Sequence, residues 1–169
     1  MVDKKIPPTV IKYKGIFEIS ELYKFISRWL IGKGYDFYEK TYKSKPPEIE
    51  LSWYGEKKLT SYVMDRITIE FHFYGVRDVE AIKGGEKRKM QDFRVVITFS
   101  GEVVTDYPNI FGEEQWKKPF WKKAKEFFET NILKQDLDFK YVDPLYYQVF
   151  ELTEEVKKFL NMEGTGNLV

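Results

Sequence analysis

The chain has a single histidine, His72, within the most regular apolar alternation of its sequence. It lies between Phe71 and Phe73, in the phase of this strand pattern that faces away from the core. An exposed histidine can act as a general base or as a pH-sensitive group. The more ordinary interpretation is a half-exposed residue that pairs across strands. One histidine without HExxH or CxxC spacing cannot form a His-rich zinc site, so the sequence predicts neither a metal nor a cofactor.

Other residue types that perform catalysis lack the context that catalysis requires. The pairs Glu48/Glu50 and Asp136/Asp138 lie where solvated charges are expected, and with 27 acidic residues some such pairs are inevitable. Ser100-Gly101 has no GxSxG turn, and Gly84-Gly85 is not followed by the helix of a phosphate-binding loop. The absence of cysteine excludes cysteine nucleophiles and disulfides. The sequence therefore favours a protein that is not an enzyme, without deciding the question.

The segment Trp116–Lys125 (WKKPFWKKAK) interleaves planar and cationic side chains. Such interleaving suits single-stranded nucleic acid, whose bases stack on aromatic rings, and equally an anionic membrane surface. A second basic cluster at Lys83–Lys89 extends this candidate footprint. The alternative is a helix whose lysines are solvated and whose Phe120 and Ala124 face the core. The candidate binding residues are Trp116, Lys117, Lys118, Trp121, Lys122 and Lys123, with Lys83, Lys87, Arg88 and Lys89.

The aromatic residues, 18% of the chain, indicate the elements that must position these groups. In Arg66–Tyr74 and Phe93–Phe99 they alternate with polar or small residues, which predicts half-buried strands. In Phe120–Phe128 and Leu145–Phe150 they recur at helical spacing instead. The predicted strands are Thr9–Tyr13, Tyr35–Lys43, Glu48–Tyr54, a segment within Lys58–Phe73, Gln91–Phe99 and Gly101–Tyr107; the predicted helices are Ser20–Ile31, Pro119–Ile132 and one that starts at Asp143-Pro144.

These elements predict an α+β fold in the approximate order β-α-β-β-β-β-α-α. Tight glycine turns, such as Gly84-Gly85 at the tip of the hairpin that Lys83–Lys89 forms, join antiparallel and not parallel strands. An antiparallel sheet of four to five strands can be covered on one face by two to three amphipathic helices. We expect residues 1–163 to form one domain and residues 164–169 to be a frayed C-terminal tail.

The composition narrows the class of partner only slightly. The net charge is +1, whereas proteins that bind nucleic acid mainly through phosphates usually carry a clear basic surplus. No apolar run is long enough for a signal peptide or a membrane span, so we expect a cytoplasmic protein.

Aromatic and apolar residues also fall in polar phases of the strands, and these could form an exposed patch for a partner. They are Tyr38, Tyr54, Tyr62, Tyr74 and Val96.

Three hypotheses about function follow from these patterns. The preferred one is a non-enzymatic domain that binds a protein partner or a second copy of itself. The second is binding of nucleic acid or an anionic surface through the Lys/Trp residues. The third is a carrier of a hydrophobic small molecule, or an enzyme that uses His72 or a carboxylate, with a cavity between the sheet and the helices.

The spacing of apolar and aromatic residues also resembles that of a known group of proteins. The segments IFEISELYKFISRWLIGKGYDFYEKTY, EIELSWYGEKKLTSYV and FSGEVVTDY are similar to those of a family of small archaeal proteins of unknown function. The resemblance covers residues from about 15 to 160. It implies a self-contained domain of archaeal or archaeal-virus origin, and it implies no site residue.

Overall fold

The computed structural model describes residues 3–60, 63–83, 85–105 and 137–163 of the chain. Within these residues, an antiparallel sheet of five strands packs against two helices, which is the α+β class that the sequence predicts. The predicted helix Pro119–Ile132 lies outside the described residues. The elements are β1 (Asp3–Phe17), α1 (Ile19–Gly32), β2 (Asp36–Lys45), β3 (Glu48–Lys58), β4 (Val63–Lys83), β5 (Glu86–Thr105), a π-helical turn (Leu137–Val142) and α2 (Asp143–Glu163).

The strands lie in the order β1-β5-β4-β3-β2, and every neighbouring pair is antiparallel. Strands β2 to β5 form a meander, because each pairs with the next along the chain. Strand β1 instead pairs with β5, the strand most distant from it in sequence, with Tyr13 opposite Val95. The edges of the described sheet are therefore β1 and β2.

The core lies between the two helices and one face of the sheet. Successive strand residues point to opposite faces, so every second residue of β4 from Ile67 to Phe73 is buried. The helices contribute stripes at three- and four-residue spacing. The hydroxyl groups of Thr9 in β1 and Thr153 in α2 are 2.6 Å apart and link the sheet edge to α2. The buried helix residues are Leu22, Ile26 and Leu30 in α1 and Leu145, Val149, Leu152, Val156 and Leu160 in α2.

Strand β1 is longer than the sequence predicts. We expected it to begin at Thr9, after Pro7-Pro8, but it begins at Asp3 and passes through both prolines. Its pairing with β5 shifts between Ile6 and Thr9, so the prolines have no ladder partner. A central strand donates its N–H groups alternately to the strands on both sides, and proline has no N–H group to donate. It is tolerated here because β1 is an edge strand.

Strands β4 and β5 also exceed their predicted lengths and continue as a two-stranded ribbon. The register of the β4–β5 pairing shifts beside Gly75. The φ of Gly75 is +61°, a left-handed conformation that glycine adopts without steric cost. The pairing then continues until Lys83 lies opposite Glu86, on either side of the predicted Gly84-Gly85 turn. Within the described pairing, residues 79–83 and 86–90 have no third strand beside them.

Close packing of α2 on the sheet depends on Gly101 in β5. A Cβ atom at this position would lie 3.1 Å from Val149 Cγ2 and 3.4 Å from Leu145 Cδ2. We expect Gly101→Val to lower the free energy of unfolding by about 1–3 kcal/mol, because the added methyl groups overpack the contact. Denaturant unfolding measures this change. Gly32→Val is the matched control, since nothing lies within 4 Å of that position; equal losses in the two variants would contradict the expectation.

Candidate functional site

The face of the sheet opposite the two helices is called here the outer face. It consists of the strand residues that alternate with the buried ones, and the pairing aligns them in rows across the strands. In one row Lys14, Arg94 and Tyr74 are direct neighbours. The next row contains Lys12, Val96, His72, Glu50 and Lys43. In these two rows the pairing brings together residues that are up to 84 positions apart in the sequence.

Lys12, Lys14 and Arg94 surround a hollow of about 560 Å³ at the β1 side of the outer face, called here the basic groove. Tyr74 and Val96 supply apolar surface between the three cations. Lys14 and Arg94 lie directly opposite each other, an arrangement of like charges that destabilises a sheet. Among the described residues, no carboxylate oxygen lies within 4.0 Å of any of the three. The groove is thus a cluster of uncompensated positive charge beside apolar surface.

His72 lies next to the basic groove and contacts two carboxylates of β3. Its Nε2 is 3.4 Å from Glu48 Oε2, and its Nδ1 is 3.6 Å from Glu50 Oε1. Its ring stacks on Tyr74, with centroids 4.0 Å apart and planes at 8°. Glu50 is the residue directly opposite His72, so the histidine forms the cross-strand contacts that the more ordinary interpretation expects. Negative charge is therefore concentrated on β3, two strands from the basic groove.

The β2 side of the outer face is aromatic, and the arginine that lies there is paired with carboxylates. Tyr38 and Tyr54 stack with centroids 5.1 Å apart, and the Arg66 guanidinium lies 5.9 Å from the Tyr54 ring centroid. Arg66 also contacts Glu102 at 3.0 Å and Glu56 at 3.7 Å. Of the five residues that the sequence suggested for an exposed patch, Tyr62 lies outside the described residues, and the other four share the outer face: Tyr38, Tyr54, Tyr74 and Val96.

The structure describes only part of the binding site that the sequence suggested. Lys83 ends β4, and Lys87, Arg88 and Lys89 begin β5 in the ribbon. Arg88 lies 3.6 Å from Glu18, and Lys89 lies 3.4 Å from Asp78, so local carboxylates compensate the charges of these two residues. The remaining candidates lie outside the described residues, and their role stays a prediction: Trp116, Lys117, Lys118, Trp121, Lys122 and Lys123.

A buried carboxyl group lies on the other face of the sheet, covered by the helices. Asp65 of β4 is 3% exposed, and its Oδ1 has no hydrogen-bond partner among the described residues. Burial raises its pKa to about 7, and the Lys57 ammonium, on the residue directly opposite, opposes part of that rise. Burial also raises the pKa of the nearby Tyr35, whose hydroxyl donates to Gln148 Oε1 at 2.6 Å. An ionised Asp65 therefore destabilises the fold.

Neither Asp65 nor the basic groove is among the sites predicted from the sequence, although each leaves a trace there. Asp65 is in the same phase as Ile67 and Ile69, so a charge falls in the inward phase of the clearest strand. Lys12 and Lys14 are two residues apart, which places both on one face of a strand. No sequence pattern indicates that Arg94 joins them, because that depends on the pairing of β1 with β5.

The described residues include no group of three or more His, Cys, Asp or Glu side chains arranged to hold a metal ion. None of the helices in the described part of the chain is both long enough and apolar enough to span a membrane.

Comparisons with known proteins add no functional information. No protein-family model matches the chain, and no curated protein is similar to it. An uncharacterised protein from Rhizobium leguminosarum has a solved structure that aligns with 76% of this chain and 99% of its own length, at 10% identity and a TM-score of 0.20. A TM-score this low does not establish a shared fold. The resemblance to an archaeal family stays a prediction.

Proposed function

We propose that this protein is a non-enzymatic binding domain that recognises a protein partner through the outer face of its sheet. The observation that supports this most directly is the basic groove, in which Lys12, Lys14 and Arg94 have no carboxylate within 4.0 Å among the described residues. A partner that places carboxylates against these cations relieves their mutual repulsion. Val96 and Tyr74 provide the apolar contact that the centre of such an interface requires.

The charge distribution favours a protein over a nucleic acid. A phosphate chain laid across the sheet from the basic groove meets Glu50 of β3 and Glu70 of β4 on the same face. These carboxylates repel phosphates, whereas a protein surface can match an alternation of positive and negative charge. Two cations of the ribbon, Arg88 and Lys89, are compensated by neighbouring carboxylates. A partner with a mixed surface therefore fits better than a polyanion.

Reversing the charge of the basic groove tests this proposal. We expect the tagged wild type to retain protein partners, including an untagged copy of the chain itself. The variant Lys12→Glu/Lys14→Glu/Arg94→Glu should retain at least tenfold less of these partners, since the charges of an interface determine its electrostatic complementarity. Quantitative mass spectrometry of the retained proteins is the measurement. The matched control is Lys24→Glu/Arg28→Glu/Lys140→Glu, which changes the net charge equally at exposed positions in α1 and the π-helical turn.

Two outcomes would overturn the proposal. One is retention of the same proteins by the wild type and the groove variant. The other is a wild type that retains no protein partner but binds a labelled single-stranded oligonucleotide through the groove, which would assign the groove to nucleic acid.

A further inference from the structure

We infer that the partner is a second copy of this chain, docked outer face to outer face about a two-fold axis that runs parallel to the strands between β4 and β5. This inference rests on the proposed function and names its partner. It is supported by the arrangement of charge on the outer face, where positive and negative groups occupy positions that such an axis brings together. An interface of this kind is self-complementary, because each copy contributes the same surface.

The strand order determines which residues meet. In the order β1-β5-β4-β3-β2, strands β1 and β3 are equally distant from a line between β5 and β4. A two-fold axis that is parallel to that line and lies above the outer face places β1 of one copy over β3 of the other and keeps the rows in register. Lys12 and Glu50 share one row, so Lys12 of each copy lies over Glu50 of the other.

The adjacent row is complementary in the same way. Lys14 lies in the row of Arg94 and Tyr74, and Glu48 precedes Glu50 by two residues on the same face of β3. The rotation therefore places Lys14 over Glu48 of the second copy. It also places Arg94 over the Tyr74 ring, a cation–π contact. Four Lys–Glu pairs then flank a centre that contains Tyr74 and Val96 of both copies.

The position of the axis follows from the charges of β2. An axis along β4 itself would place β1 over β2, and Lys12 would then face Lys43 of the second copy, with Lys14 facing Lys45. Like charges opposed in this way are costly. With the axis between β4 and β5, β2 extends past the edge of the second sheet, and its lysines remain in solvent. Of these two axes, the charges favour the one between β4 and β5.

The area is consistent with a reversible dimer. Four strands about 4.8 Å apart, with about five outward residues on each, give a footprint of roughly 500 Å². Stable protein interfaces bury about 800 Å² per partner, so this contact is at the weak end of specific interfaces. Most of its charges are exposed, which makes the attraction sensitive to salt. We expect dimers at low ionic strength that dissociate as salt is added.

A charge-swap experiment tests this inference. Lys12→Glu/Lys14→Glu makes all four positions of the Lys–Glu pairs acidic in each copy, and Glu48→Lys/Glu50→Lys makes all four basic. We expect sedimentation velocity at low salt to show dimers of the wild type, at least tenfold weaker dimers of each variant alone, and a heterodimer when the two variants are mixed. Lys24→Glu/Arg28→Glu, on α1, is the control and should dimerise like the wild type.

Cysteine pairs give an independent measurement, because the chain contains no cysteine. We expect Lys12→Cys mixed with Glu50→Cys to form a disulfide heterodimer under mild oxidation, and Lys24→Cys mixed with Glu50→Cys to form none. Two results would overturn the inference. One is a wild type that stays monomeric at low salt, and the other is a dimer whose strength neither charge variant changes. The proposed function would still stand if the outer face retained a different protein in the capture experiment.

Discussion

Replacing Asp65 by asparagine is expected to raise the free energy of unfolding by about 4 kcal/mol at pH 8 and by far less at pH 4. The carboxyl is 3% exposed, and burial raises its pKa from 3.8 to about 7. Between these two values the folded protein holds a proton that the unfolded chain has released. Wild-type stability therefore falls as the pH rises through this window and levels off above it. Asparagine cannot ionise, so the variant lacks this dependence.

Denaturant unfolding at pH 4, 6 and 8 measures the difference between the variant and the wild type. Asp36→Asn is a suitable control, because Asp36 is an exposed carboxyl at the start of β2. The gain for Asp65→Asn should increase from pH 4 to pH 8, whereas the control should change little. A variant that is less stable than the wild type at pH 8 would show that the ionised carboxylate has a stabilising partner.

Replacing Trp53 by alanine is expected to lower the free energy of unfolding by about 3–5 kcal/mol, a large share of the 5–15 kcal/mol typical of a domain. Trp53 is 0% exposed. Its ring centroid is 4.4 Å from that of Tyr23, 4.6 Å from Phe71 and 5.1 Å from Phe37. Truncation leaves a cavity where α1, β2 and β4 meet on β3, and these elements cannot all close around it.

Thermal and denaturant unfolding monitored by circular dichroism provide the measurement. Tyr42→Ala removes an aromatic side chain that is 62% exposed on β2 and should change stability by no more than about 0.5 kcal/mol. If both substitutions cost the same, the packing around Trp53 would not be the main source of stability at this corner of the core.

The elements and their buried faces could be predicted from the sequence, because local periodicity determines them. Ile67 to Phe73 alternate with polar residues, and this two-residue period alone indicates which side chains the strand buries. The stripe from Leu145 to Leu160 indicates the buried face of α2 in the same way. The ends of β1 were harder to predict, since proline stops a central strand but not an edge strand, and edge position is a property of the whole sheet.

The candidate binding face was decided only by the tertiary structure. Lys12 and Lys14 lie next to Arg94 because β1 pairs with β5, a choice among several strand orders that local periodicity does not distinguish. The same pairing aligns the lysines with Glu48 and Glu50 in common rows. Asp65 has a raised pKa because the folded chain buries it. Local patterns thus determine which side chains share a face, whereas charge clusters and pKa values depend on contacts between distant segments.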